Sequence, residues 1–282
     1  MLIVLARAMG MCFGVKDALE LARRHPEPER VTIHGELVHN PQVQADLAAR
    51  GYRQTAEHSR GVPDSPEVMI TAHGVSHRER QRLTEAGKLL VDTTCPLVRR
   101  VHKTALLLQR QGYFIVVVGK PGHVEVEGLV GDLERYAVWP TVESVARLEA
   151  PRLAVLSQTT TRPQVFEEVF AEVCRRHPDA EVRKVDTICA PTRERQTAAQ
   201  ELLDRVQAVV VVGGRTSNNT RALAQLAAQR GLPCQHVECA EELDLEWARG
   251  FRIVGLTAGT STPDDVIQAV HRRLLEAAQR VA

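Results

Sequence analysis

Three of the six cysteines share a setting that the other three lack. Cys95 lies in VDTTCP and Cys189 in VDTICAP. Cys12, Cys95 and Cys189 each open a helical pattern, in GMCFGVKDALELARR, DTTCPLVRRVHKTALLLQRQG and DTICAPTRERQTAAQELLDR. The positive end of a helix dipole favours a thiolate, the form of cysteine that binds metal. Three such thiolates can hold three irons of a 4Fe–4S cluster and leave the fourth open to substrate, whereas a structural cluster usually takes four cysteines. A zinc site of three cysteines with an open position is the lesser alternative. Cys174, Cys234 and Cys239 stand in unrelated contexts and read as small buried hydrophobes. No pair has CxxC spacing, which argues against a zinc ribbon or a thioredoxin-like motif.

The histidines suggest a second chemistry. His39 in GELVHNPQV, His73 in TAHGVS and His123 in GKPGHVEVEG fall in loops of the same kind, each between an apolar run and a following polar or helical segment. Imidazoles beside helix N-termini form an anion site, and a diphosphate needs several such donors. The last third of the chain has no such histidine. Its loops supply Thr216, Ser217, Asn218, Asn219 and Thr220 in GGRTSNNTR, and Thr260, Ser261 and Thr262 in AGTSTP. Those residues are also ordinary helix caps. One acid stands out, Glu125: alternation in GHVEVEG puts it on the same side of an extended segment as His123, although Glu127 satisfies the same spacing. A carboxyl group there can deliver the proton that turns a leaving hydroxyl into water. Thr159 in LSQTTT has a hydroxyl suited to relaying that proton or orienting a substrate.

Groups so far apart in sequence need repeated scaffolds to position them, and the chain has such repeats. Three kinds of segment recur in the same order: the cysteine-led helix, then a strand with a polar glycine-containing loop and usually a helix, then a second copy of that strand–loop–helix plan. In the cysteine-led helix from Pro96, Leu97, Val101, Ala105 and Leu108 make an apolar stripe near period 3.6. The cysteines recur at a little under a hundred residues, which predicts three similar small α/β domains. Their expected bounds are 1–95 (with Cys12, His39 and His73), 96–188 (with His123, Glu125 and Thr159) and 189–282. The third contains Cys189, Ser217, Asn219 and Ser261 and ends in a helix. The polar loops then lie where strands end and helices begin, which is where open α/β sheets bind ligands.

Bulk composition narrows the class. Hydrophobic residues at 44% and charged residues at 25% suit a soluble globular protein. Lys plus Arg is 36 against 35 acids, and aromatics are only 4%, so nucleic acid is a poor partner. Apolar runs such as FIVVV and AVVVV are far too short to span a bilayer and predict buried strands. MLIVLARAMGMCFGV lacks a basic n-region and a small-residue cleavage site, so a strand and a cytoplasmic location are expected, with thiols kept reduced.

In order along the chain, GMCFGV, HGELVHNP, TAHGVS, DTTCPLV, GHVEVEG, SQTTT, DTICAPTRERQ, SNNTR and TAGTSTP resemble the motifs of the 4-hydroxy-3-methylbut-2-enyl diphosphate reductase family, from residue 12 to residue 263. The resemblance implies a pseudo-threefold trefoil of three α/β domains around a central 4Fe–4S cluster held by Cys12, Cys95 and Cys189. It implies that His39, His73, His123, Ser217, Asn219 and Ser261 hold the substrate diphosphate, with Asn218 standing where the family often carries a second serine. Glu125 would be the proton source, helped by Thr159. The reaction implied is a two-electron reductive dehydroxylation at the end of the methylerythritol phosphate pathway, giving isopentenyl and dimethylallyl diphosphate, with a ferredoxin or flavodoxin as electron donor and no membrane partner. A quinolinate synthase-like protein, also resembling three domains around a three-cysteine cluster, is the second enzyme reading. An iron–sulfur redox sensor is the third, but it would more naturally use four cysteines and a DNA-binding module.

Overall fold

The computed structural model of the chain describes residues 1–58 and 60–279, so the last three residues of the expected third segment lie outside the description. The strands are β1 (Leu2–Leu5), β2 (Val31–Ile33), β3 (Arg53–Gln54), β4 (Glu67–Ile70), β5 (Leu89–Asp92), β6 (Phe114–Val118), β7 (Tyr136–Trp139), β8 (Arg152–Ser157), β9 (Glu181–Lys184), β10 (Ala208–Val212), β11 (Cys234–Val237) and β12 (Ile253–Ala258). The helices are α1 (Phe13–Arg24), α2 (Pro41–Ala49), α3 (His77–Glu85), α4 (Pro96–Arg110), α5 (Val124–Val130), α6 (Pro163–Arg176), α7 (Ala190–Leu203), α8 (Asn218–Gln229), α9 (Leu245–Arg249) and α10 (Asp264–Gln279). Among the described residues no helix is long and apolar enough to cross a membrane.

The strands form three parallel four-stranded sheets, in the orders β3-β2-β4-β5, β7-β6-β8-β9 and β1-β12-β10-β11. Parallel strands need crossovers, and the amphipathic stretches between strands supply them as helices, so each sheet becomes a small α/β domain. In the first two sheets the strands follow one plan: the first strand of the segment lies between the second and third, and the fourth is at the edge. The third sheet keeps the plan with one substitution. β10, β11 and β12 take the first three places, and the edge place is taken by β1, the first strand of the chain, with Leu2 opposite Ile253 and Leu5 opposite Leu256.

The expected segments 1–95, 96–188 and 189–282 therefore depart from the sheet pairing at the N-terminus. Hydrogen bonding of β1 to β12 removes residues 2–5 from the first sheet and adds them to the third. The chain forms two compact units. One comprises Met1–Val15, His39–Asp46 and Ala190–Ala282 and contains the third sheet; the other comprises Lys16–Val38 and Leu47–Cys189 and contains the first two.

Central strands carry the most apolar sequence because both their faces are covered. Ile115–Val118 in β6 and Ala208–Val212 in β10 are all 1% exposed or less, each such valine or isoleucine contributing about 1.5–3 kcal/mol. On α4 the buried stripe is Val98, Val101, Ala105 and Leu108, facing β6 and β8; Leu97, expected in it, is only half-buried, because a 3-4-3 spacing starts at Val98.

His102, on the same helix, gives the fold an acid sensitivity. Its Nε2 is buried without a hydrogen-bond partner among the described residues. Burial pushes its pKa from the usual 6.5 down to about 4, against the weaker opposing pull of Asp132. Between those two values the unfolded chain binds a proton that the folded chain excludes. Stability from this group is thus intact above pH 6.5 and falls progressively toward pH 4, by about 3 kcal/mol in all. Urea unfolding at pH 7 and pH 4 should show that His102→Leu loses less stability on acidification than the unsubstituted protein, by about that amount. Equal losses would refute the assignment.

Candidate functional site

The three repeat cysteines occupy equivalent positions. Each follows the edge strand of its sheet, β1, β5 or β9, and each directly precedes a helix, α1, α4 or α7. Each also donates its backbone N–H to the carbonyl two residues beyond the end of the adjacent strand: Cys12 to Thr260 at 3.0 Å, Cys95 to Ala72 at 3.1 Å and Cys189 to Thr159 at 3.0 Å. All three are half-buried and stand at a helix N-terminus.

The repeated Val-Asp-Thr builds the turn before two of these cysteines. Asp92 Oδ1 accepts from the Thr94 N–H at 3.0 Å, and Asp186 Oδ1 accepts from the Ile188 N–H at 3.2 Å, each carboxylate closing a turn two residues on. The threonine hydroxyls anchor the turns to the neighbouring strand, Thr93 donating to the Ile70 carbonyl at 2.5 Å and Thr187 to the Ser157 carbonyl at 2.6 Å. The Cys12 turn has no such motif and uses a buried arginine instead. Arg195 on α7 donates from Nε to the Gly10 carbonyl at 2.9 Å and from Nη2 to the Met11 carbonyl at 3.2 Å. Sequence reasoning missed Arg195; a buried arginine in APTRERQ carries no periodic signal.

Within the unit built on the first two sheets, Cys95, Cys189, His73, His123, Glu125 and Thr159 occur together. His123 caps α5: its Nδ1 accepts from the Glu125 N–H at 3.1 Å, which assigns the neutral ring's proton to Nε2. The segment from Val124 is helical, which corrects the extended reading. Val-Glu-Val-Glu mimics strand alternation, yet Val124, Val126, Leu129 and Val130 all face inward on a helix. The helix also separates the two acids, burying Glu125 and leaving Glu127 exposed.

Thr159 grips Glu125 at both carboxylate oxygens. The Thr159 N–H donates to its Oε1 at 2.6 Å, and the Thr159 hydroxyl to its Oε2 at 2.9 Å. The Thr159 carbonyl accepts the Cys189 N–H, so cysteine, threonine and carboxylate form one continuous chain. His73 and His123 meet edge to face with ring centroids 5.6 Å apart. Gly128 allows this approach of α5, since a Cβ there would meet the Val75 Cα at 3.2 Å and the Gly74 carbonyl oxygen at 3.3 Å.

The other unit brings together Cys12, His39, Ser217, Asn218, Asn219 and Ser261. Ser217 caps α8, accepting from the Thr220 N–H at 3.3 Å, and its loop is braced by Arg215 on Glu238 and Glu242. Asn219 is the counterpart of Glu125: its Oδ1 accepts from the Thr260 N–H at 3.0 Å, and the Thr260 carbonyl accepts the Cys12 N–H. Its Nδ2 is buried with no hydrogen-bond partner among the described residues. That orphaned donor matches an acceptor-rich ligand such as phosphate. The Ser261 hydroxyl donates to the His39 carbonyl at 3.1 Å, and Gly214 fits against that same carbonyl, which a Cβ would meet at 2.6 Å. Asn218 is half-buried at the first position of α8. Thr262 serves the scaffold through its hydroxyl bond to the Val212 carbonyl, and Thr216 is exposed. The register makes Thr160 the counterpart of His73 and Ser261, each one residue beyond the carbonyl that accepts a cysteine N–H. That equivalence was not legible in QTTT.

The remaining cysteines lie elsewhere: Cys174 on α6, Cys234 in β11, and Cys239 capping a 3-10 turn. Burial raises the pKa of Cys174 and pushes that of Cys234 up to about 11, so both remain thiols at neutral pH.

Comparison with known proteins gives a concordant result. A relative from Aquifex aeolicus named 4-hydroxy-3-methylbut-2-enyl diphosphate reductase is 35% identical over 283 residues, covering 97% of this chain and 96% of its own. One of the same name from Anaeromyxobacter is 38% identical over 271 residues, covering 94% and 96%. Among solved structures, the E-1-hydroxy-2-methyl-but-2-enyl-4-diphosphate reductase of Plasmodium falciparum superimposes with a TM-score of 0.88 at 25% identity, over 96% of this chain and 87% of that one. An (E)-4-hydroxy-3-methyl-but-2-enyl diphosphate reductase, the terminal enzyme of the non-mevalonate pathway, gives 0.69 at 34% identity, over 98% and 100%. The family model for LytB protein matches residues 3–275, and the chain belongs to that family.

Proposed function

We propose that this protein removes the hydroxyl group of 4-hydroxy-3-methylbut-2-enyl diphosphate reductively, consuming two electrons and two protons and releasing water with isopentenyl or dimethylallyl diphosphate. The family and the names of its relatives support the reaction. The observation that carries the residue roles is the hydrogen-bonded chain Glu125–Thr159–Cys189, which ties a buried carboxylate to a candidate metal-binding cysteine through a buried threonine.

Cys12, Cys95 and Cys189 suit a 4Fe–4S cluster as ligands: three soft thiolate donors, half-buried, each fixed by the same backbone bond at a helix N-terminus. When bound, the cluster supplies the electrons and, with only three protein ligands, an iron accessible to substrate. The protein's own residues bind, orient and move protons. His39, His73, His123, Ser217, Asn218, Asn219 and Ser261 hold the diphosphate. His123 Nε2–H and the Asn219 amide are donors of the type phosphate oxygens accept. Thr159 fixes Glu125 through its N–H, while its hydroxyl, which can both donate and accept, passes a proton to Oε2 for delivery to the leaving oxygen.

The test is anaerobic turnover of the cluster-reconstituted protein with reduced methyl viologen, with and without 4-hydroxy-3-methylbut-2-enyl diphosphate. Substrate-dependent dye oxidation and formation of the two five-carbon diphosphates are expected. No oxidation by protein with a verified intact cluster would overturn the substrate assignment.

A further inference from the structure

The helix that follows Cys95 differs from its two counterparts in charge. α4 carries Arg99, Arg100, Lys103 and Arg110 and no acidic residue, whereas α1 includes Asp17 and Glu20 and α7 includes Glu194 and Glu201. The protein as a whole is nearly neutral at +1, so this charge is local. Pro96, Arg99, Arg100, Lys103, Leu107 and Arg110 are exposed and recur at helical spacing, forming one stripe along the outer face. Arg99 has one acidic neighbour, Asp92, at 3.0 Å; among the described residues no acid pairs with Arg100 or Lys103. Leu107 is 55% exposed, a large aliphatic side chain standing uncovered among cations. Pro96, Arg99, Arg100, Lys103, Thr104 and Leu107 line a shallow groove of about 440 Å³.

We infer that this face of α4 is the docking surface for a small acidic one-electron carrier protein. The inference rests on the reductase reading and names its electron entry point. An iron–sulfur cluster takes up electrons one at a time, so the proposed cofactor calls for a one-electron carrier that docks twice per turnover, and its binding has to be fast and short-lived. Complementary charge accelerates encounter, and a small contact allows release. The stripe has both properties: cations to steer an acidic partner and one exposed leucine to seat it. Its position is also suitable. At the helical rise of 1.5 Å per residue, Arg99 lies roughly 6 Å and Leu107 roughly 18 Å along the axis from Cys95. Each docking oxidises the carrier by one electron. Two dockings supply the pair that, with two protons, converts the C–OH of the substrate to C–H and water.

The test compares the holoprotein with a double charge reversal, R100E/K103E, and with the neutral R100Q/K103Q, all checked for unchanged melting temperature. Three measurements are made: turnover with reduced methyl viologen, turnover with a reduced acidic 2Fe–2S ferredoxin, and ferredoxin binding by titration at low and high salt. Expected are equal dye-driven rates, and a KM and Kd for ferredoxin raised by about tenfold or more in R100E/K103E and less in R100Q/K103Q, with the differences shrinking at high salt. Unchanged ferredoxin binding and turnover in R100E/K103E would overturn the assignment. So would tighter binding of a single-stranded oligonucleotide than of ferredoxin to the unsubstituted stripe. Failure of dye-driven turnover in every form would count against the reductase reading, while the titrations would still decide the docking surface.

Discussion

Glu125→Gln lowers turnover by about 10²–10⁴-fold, the range over which positioned proton transfer contributes to catalysis. The substitution keeps the shape of the side chain and a carbonyl oxygen to accept the Thr159 N–H, now bonded to Oε1 at 2.6 Å, so the fold of the loop should survive. What it removes is a group that can carry a proton between the Thr159 hydroxyl and a leaving oxygen. Cluster absorption and substrate affinity should stay near those of the unsubstituted protein, measured by visible spectroscopy and by substrate titration. Thr159→Val gives a smaller loss, because the N–H bond to Glu125 remains and only the hydroxyl bond is lost. Near-normal turnover in Glu125→Gln would remove this residue from the proton path.

The second large effect is in iron content. Cys12→Ser, Cys95→Ser and Cys189→Ser should each yield protein that retains little iron and sulfide after reconstitution and shows only background turnover, since each removes one of the three proposed protein ligands. Cys174→Ser and Cys234→Ser should bind iron normally. These two are no more exposed than the other three, so accessibility does not distinguish the groups. Position does: neither Cys174 nor Cys234 stands at the start of a helix that follows an edge strand. Iron and sulfide assays per chain decide the matter, and loss of iron from Cys174→Ser would sink the choice of ligands.

Much of this arrangement was legible in the sequence because the chain repeats itself. Val-Asp-Thr before Cys95 and Cys189 marked two turns whose aspartates and threonines the structure finds in matching bonds. The apolar runs at β6 and β10 announced buried central strands. Other features required contacts distant in sequence. Nothing in LIVL signals that β1 pairs with β12, because a four-residue strand carries no record of its partner. His123 and Glu125 were assigned to one extended segment, whereas the structure puts them at the start of a helix: alternation and a short helix with an inward Val126 look alike over five residues. Arg195 was invisible because its role is to hold carbonyls near residue 10, which sequence spacing cannot reveal.

The edge place that β1 takes in the third sheet also orders events on the ribosome. Residues 2–5 are synthesised long before their hydrogen-bonding partners, residues 253–256, and the Cys12 N–H waits for the carbonyl of Thr260. The β1 segment therefore lacks its neighbouring strand until β12 has been made, a long-range pairing that is slow to close. A cluster requiring Cys12 in its native turn could be inserted only after synthesis of the third sheet. Cluster insertion would then await the closing of the third sheet, while the turns at Cys95 and Cys189 are complete without it.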